Sequence, residues 1–295
     1  MDWGKLLMLS RRFTVPALAV IGVVMAAGCG AVFDGDENSV VAGSSHIEVI
    51  LEDLAGDWVN VRSLFPPALC PSQFDMKPSH INALRTSEAV LLHPWQEAMG
   101  NVQEGLRTAR TPEEQVHILY IDGNWMTPEA QRAATERIAE LLEPIKPANG
   151  SSDDAGLSER LAGRTALIEE KAAEAREALD AAEADGVAVL SAEMQADFLE
   201  WAGFEIAGVY GAPEDLSVAA IERLLAQGRE AGALLVVDNL QSGDPGAGAR
   251  MARELGAGHA VLTNFPRAIP ETSTWEATLE HNITQLTQAL EDANS

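Results

Sequence analysis

Residues able to hold a cation or hydrogen-bond a polar ligand are thinly spread along this chain. Its six histidines are scattered. Cys70 lies in a loop after the Pro66-Pro67 break. As a thiolate it would favour zinc, copper or another soft cation; otherwise it serves as a small buried apolar residue. His46 stands where a helix starts after the first strand, as a ligand or as a cap or surface residue. His93 comes just past a short apolar strand, and Glu193 just after the strand ending at Leu190. A carboxylate at 193 either completes a site or acts as the first-turn acid of the next helix. Asp238 follows an apolar strand and anchors a ligand or the loop after it. Gln73, Asn124 and Asn239 carry neutral amides, poor ligands for zinc but suited to an oxyanion, a small organic molecule or a hydrated ion. His80, His117, His259 and His281 show no metal-ligand spacing and read as structural.

Several function classes are excluded. No Gly-x-Ser-x-Gly elbow, phosphate loop or His-Glu-x-x-His segment occurs, so the chain is not expected to be an enzyme. The run from Gly243 to Gly248 is glycine-rich but lacks the Lys-Ser/Thr of a phosphate loop. The net charge of −25, from 45 acidic and 20 basic residues, is wrong for nucleic acid, whose phosphates need a basic face.

The elements that must position these residues follow from periodicity. Strands are expected at 40–44, 59–64 and 89–92, and helices at 46–54, 79–84 and 128–145. Residues 147–154 are polar and break the pattern. From Leu157 to Asp185 a narrow apolar stripe, including Leu161, Ile168, Ala175 and Leu179, predicts one long helix burying a single face. A second alternating set follows, with strands at 187–190, 205–210, 233–237 and 260–263 and helices at 194–202, 216–231, 247–255 and 274–290. Strands alternating with helices imply parallel sheets covered on both faces. The expected class is therefore α/β, with two lobes joined by one long bridging helix and a ligand cleft between them. The lobes are expected at 40–150 and 187–295, with the bridge at 151–186.

The N-terminus reads as an address. Lys5, Arg11 and Arg12 precede an apolar run from Phe13 to Ala27 that ends in small residues before Cys29. A basic start, a short apolar stretch and small residues describe a secretory signal at 1–28. Cys29 sits where the lipidated first residue of a lipoprotein stands, and residues 29–39 are small and acidic, as in a flexible tether. Membrane lipid is then a partner through Cys29, and Cys70 has no second cysteine to pair with.

Several segments resemble one family. Ala55-Gly56-Asp57-Trp58-Val59, then Leu64-Phe65-Pro66-Pro67, then Phe74-Asp75-Met76-Lys77-Pro78-Ser79 are similar to the zinc- and manganese-type substrate-binding proteins of ABC importers. Trp125-Met126-Thr127-Pro128, Asn239-Leu240-Gln241-Ser242-Gly243 and Asn264-Phe265-Pro266 continue the resemblance. It implies two lobes bridged by a helix, a membrane permease as partner, an extracytoplasmic location, and a divalent zinc- or manganese-class metal as cargo, with no organic cofactor. The family's histidine positions fall here at Ser72 or Gln73, at Gly123 or Asn124, and near Ala192-Glu193, so the ligand set differs. Two other readings keep the fold. One is a binder of a small polar molecule or metal chelate, held by amides with Trp95 and Trp125. The other is an adhesive or structural lipoprotein.

Overall fold

Short apolar strands with no polar face must be covered on both sides, and the chain meets that demand twice. The computed structural model describes residues 38–145, 156–212, 216–242 and 246–294, all within one compact unit, Gly35–Ser295. The signal segment, Cys29, the tether up to residue 37 and the polar segment 147–154 lie outside the described residues.

The first sheet contains β1 (Ser39–Ala42), β2 (Asn60–Ser63), β3 (Ala89–Leu92) and β4 (Val116–Ile118). They are parallel in the order β2-β1-β3-β4. β1 and β3 are buried along their whole length, as central parallel strands must be. Alternation along β1 sends Val40 and Ala42 to one face, where they pack with Ile47, Ile50 and Leu54 of α1 (Ser45–Ala55). Ala134 and Ile138 of α5 (Pro128–Leu142) complete that core. Val41 points to the other face, against Leu84 of α2 (Pro78–Thr86) and Val102 of α4 (Gly100–Ala109).

The second sheet repeats the design. β5 (Ala188–Ala192), β6 (Glu205–Tyr210), β7 (Leu235–Asn239) and β8 (Gly258–Leu262) run parallel in the order β6-β5-β7-β8. Val189 and Val237 pack under Phe198 of α7 (Ala196–Trp201) and under Trp275, Leu279 and Leu286 of α10 (Trp275–Ala293). Leu190 and Val236 face Leu224 of α8 (Val218–Ala231) and Met251 of α9 (Gly246–Leu255).

The long helix α6 (Leu157–Ala181) belongs to both cores. Leu157 joins the first, while Ile168, Ala175 and Leu179 join the second. Between them Arg164 is buried, its Nη1 shared by Asp53 of α1 (3.1 Å) and Glu276 of α10. The helix ends before Asp185 because Glu183 turns left-handed (φ 53°) and the Ala184 N–H closes on the Leu179 carbonyl at 3.1 Å. The strand expected at 233–237 is shifted to Leu235–Asn239, which places Asp238 and Asn239 inside β7. β4 and the short α3 (Pro94–Glu97) lack clear periodic signals, and α4 was not expected although Val102, Leu106 and Ala109 recur at helical spacing. β4 has three half-buried residues, and α4 carries Gly100 and Gly105, the latter giving room to Met76.

Candidate ligand site between the two sheets

Both sheets reverse strand order between their two central strands, and crevices in open parallel sheets lie at the carboxyl ends beside that point. In the first sheet the loops leaving β1 and β3 meet there. Ser44 Oγ lies 2.7 Å from His93 Nε2. In the second sheet the segments after β5 and at the end of β7 do the same, with Gln195 Nε2 donating to Asn239 Oδ1 at 3.0 Å. The two carboxyl ends face each other and are tied directly. His46 Nε2 reaches the Asn264 carbonyl at 2.5 Å. Asn124 Nδ2 donates both to Asn264 Oδ1 and to the Met194 carbonyl, each at 2.8 Å. Gln241 Nε2 donates to the Pro67 carbonyl at 3.0 Å, and Trp275 Nε1 to the Trp125 carbonyl at 3.1 Å. At the rim Arg267 pairs with Glu48 (3.1 Å) and Glu52 (2.5 Å). Direct bonds of this kind contribute about 0.5–1.5 kcal/mol each, so together they hold the cleft closed.

Two imidazoles occupy the floor. His46 and His93 are both buried and pack on Trp125, with ring centroids at 5.8 and 4.2 Å. Burial, helped by the repulsion of His46, pushes the His93 pKa down to about 3; burial also pushes His46 down to about 4 against the pull of its bond to Asn264. Both rings are therefore neutral at physiological pH, the form that ligates metals. A carbonyl only accepts, so Nε2 of His46 carries the proton and Nδ1 is bare. That Nδ1 is buried without a well-formed hydrogen bond, beside the side chain of Gln131.

The remaining expected residues do not join this pair. Cys70 is half-buried, with its thiol 3.0 Å from Ser72 Oγ, while its neighbours Leu69 and Pro71 line the cleft. Gln73 is exposed beyond that turn, because the turn Pro71–Gln73 carries it outward. Glu193 is exposed at the rim, next to Met194, whose carbonyl faces Asn124. Asp238 is turned to the far face of its sheet, where it accepts from Tyr210 Oη (2.8 Å) and lies 2.7 Å from His259 Nε2. Its place is a correction to the expected site: alternation along β7 sends Asp238 under α9 and Asn239 toward the cleft. Among the described residues no group of three or more His, Cys, Asp or Glu side chains is gathered to hold a metal ion. Asn124 alone of the expected amides bridges the lobes.

Sequence reasoning passed over Asn264, Gln241 and Gln195, the residues that complete these hydrogen bonds. Asn264 and Gln241 lie inside two of the segments that carried the family resemblance, which was the available signal. Space in the closed cleft is small. A cavity of about 10 Å3 lies among Ser44, Phe65, Pro67, Leu69, Trp95 and Phe265. That is room for one water or ion and not for an organic molecule.

The family model for the periplasmic component A of the zinc-uptake complex matches residues 40–289. Among curated protein sequences nothing matches the chain. Solved structures share the fold. A crystal structure of ZnuA is 19% identical at a TM-score of 0.66, covering 86% of this chain and 100% of its own. A manganese-bound variant of the periplasmic metal-binding protein from Candidatus Liberibacter asiaticus is 14% identical at a TM-score of 0.69, covering 86% and 99%. The laminin-binding protein Lmb of Streptococcus agalactiae, described as a bifunctional adhesin and metal transporter, is 16% identical at a TM-score of 0.66, covering 85% and 99%. With two like-ordered parallel sheets, one helix in both cores and a model match over nearly all of the described residues, the chain belongs to the family of periplasmic zinc-uptake component A.

Proposed function

We propose that this chain is the extracytoplasmic substrate-binding component of an ABC importer, anchored by lipid on Cys29, and that its cargo is a divalent transition metal of the zinc–manganese class. The observation that carries the metal reading is the pair of neutral, buried imidazoles, His46 and His93, side by side on Trp125 where the two lobes meet. The cavity of about 10 Å3 beside Ser44, the partner of His93, supports a cargo of ionic size. ZnuA and the Liberibacter protein, named in their structures as zinc- and manganese-bound, support the choice of metal class.

The chemistry of the donors sets the order of events. His46 Nε2 donates to Asn264 in the closed form, so it takes a metal only after that bond breaks and its proton moves to Nδ1. Lobe parting therefore precedes loading. Glu193 from the second lobe and Cys70 beside the mouth supply the anionic donors that two imidazoles lack. A membrane permease is the partner that receives the cargo.

One observation favours a different ligand on the same fold. Asn124, Asn264 and Gln241 are chained by hydrogen bonds and Gln195 is paired with Asn239, with no carboxylate in either set, which suits an uncharged polar molecule or a metal chelate. Thermal melting separates the readings, because a ligand that binds only the folded form raises the melting point. Protein stripped with chelator is titrated separately with zinc, manganese, cobalt and copper. The metal reading expects a saturable rise with at least one, lost in His93→Ala and reduced in Glu193→Ala and Cys70→Ser. No rise with any metal sinks it; a rise with a chelate alone moves the assignment to these amides. Response to neither is the result expected of an adhesive lipoprotein.

A further inference from the structure

On a chain with a net charge of −25, an open pocket among the described residues has cations as its only charged lining residues. The pocket, about 560 Å3, lies where α2 and α4 end and is lined by Arg85, Thr108, Ala109, Arg110, Pro112 and Gln115. Among the described residues Arg85 and Arg110 have no carboxylate partner, whereas nearby Arg107 is taken by Glu104 at 2.6 Å. Two unpaired guanidinium groups on one pocket repel each other, and a bound anion relieves that repulsion. Each group also presents a fork of donors matched to a tetrahedral oxyanion. Thr108 and Gln115 add neutral hydrogen-bonding groups. Glu113 and Glu114 follow closely in the chain but do not line the pocket.

The backbone at Arg110 sets how its side chain is presented. α4 stops on Arg110 in the left-handed conformation (φ 58°, ψ 39°). α8 stops in nearly the same conformation (φ 66°, ψ 39°) on Gly232. Glycine adopts it freely and a residue with a Cβ does so at a cost. α6 also ends on a left-handed residue that is not glycine, Glu183 (φ 53°), so this conformation at Arg110 fixes where its side chain leaves the helix end but does not by itself call for an anion.

We propose that Arg85 and Arg110, with Thr108 and Gln115, form a site for a phosphate-type oxyanion at the end of the first lobe away from the cleft. Its position suggests the source. The strands β1, β3 and β4 are parallel, so α2 and α4 end beside the amino ends of the strands. There the Glu88 N–H donates to the Ser39 carbonyl (2.8 Å), and the Asn38 N–H to Glu88 Oε1 (3.3 Å). The chain thus enters its first strand at the pole that carries the pocket. Cys29 precedes Asn38 by nine residues, a span of at most about 30 Å. A phosphate from a lipid headgroup is then the nearby source, and free phosphate the other; the first of these rests on the lipid anchor proposed above.

The test uses the chain without residues 1–28 and with Cys29→Ser, so that no lipid is attached. Inorganic phosphate is titrated at low ionic strength by calorimetry or amide chemical shifts. The site predicts saturable binding, weakened about tenfold or more in Arg110→Gly and lost in Arg85→Gln/Arg110→Gly. Arg110→Gly should melt no lower than the parent, which separates an anion site from a structural role. Co-sedimentation with phosphatidylglycerol vesicles, lost in the double variant, assigns the phosphate to a headgroup; phosphate binding without vesicle binding assigns it to the free anion. Absence of both, or binding that survives the double variant, overturns the site. The mass of the natural protein isolated from cells reports the lipid on Cys29 separately, so a missing anchor leaves the phosphate result standing.

Discussion

Replacing Arg164 by methionine removes a buried cation that links the bridging helix to both lobes. Its Nη1 serves Asp53 of the first lobe and Glu276 of the second. The side chain of Glu276 is 12% exposed and that of Asp53 43%, so the two carboxylates fare differently once the guanidinium is gone. Breaking a buried ion pair from one side costs about 3–5 kcal/mol, because a desolvated charge is left behind. Asp53 regains water, which places the cost at the lower end. Nε and Nη2 of Arg164 have no partner among the described residues, and removing such orphaned donors returns about 1 kcal/mol. The net loss is about 2–3 kcal/mol at pH 7, or about 5–10 °C in melting temperature for a chain of this size. Calorimetry measures it directly. The double variant Arg164→Met/Glu276→Leu removes both buried charges and should recover more than half of the loss. Burial already pushes the Asp53 carboxyl up, with Arg164 pulling it back down. In the variant it rises further, and a raised carboxyl favours the folded state as pH falls through its pKa. The deficit should therefore shrink as pH falls below 7. A melting point within 1 °C of the parent, a deficit that ignores pH, or a double variant as unstable as the single one would refute the reasoning.

Two further predictions concern stability. His46 and His93 titrate at about 4 and about 3 in the folded chain, against 6.5 for a free imidazole. Below pH 6.5 the unfolded chain takes protons that the folded one refuses, so stability present above that pH is lost as pH falls toward 4. The slope is about 1.4 kcal/mol per pH unit for each histidine at its steepest; denaturant titrations should show His93→Gln shallower by about one proton, and identical slopes would count against the buried neutral pair. Gly248→Ala places a Cβ 2.1 Å from Asp238 Oδ2, which must then leave Tyr210 and His259. A loss of about 2–4 kcal/mol in urea is expected, from disturbed hydrogen bonds to a buried charge; a neutral Gly248→Ala would mean that α9 shifts aside freely.

The fold was legible where the signal is local. Leu161, Ile168, Ala175 and Leu179 repeat at helical spacing, and they occupy one face of α6. The apolar runs at 89–92 and 205–210 are strands with those bounds. β4 was not legible, because three half-buried residues at a sheet edge carry no distinctive period. α4 was masked by its two glycines, whose use appears only when Met76 is seen against Gly105.

The site divides along the same line. Sequence alone determined the two-sheet α/β architecture and the family, since motif order and periodicity are properties of neighbouring residues. His46 and His93 could be placed at the ends of strands for the same reason. Which side chains meet across the cleft is a matter of residues far apart in the chain. Tertiary structure alone brought Asn124 to Asn264, Gln241 to Pro67 and Arg164 between Asp53 and Glu276. It also turned Asp238 away under α9, because β7 runs on to Asn239 and alternation puts Asp238 on the same face as Val236.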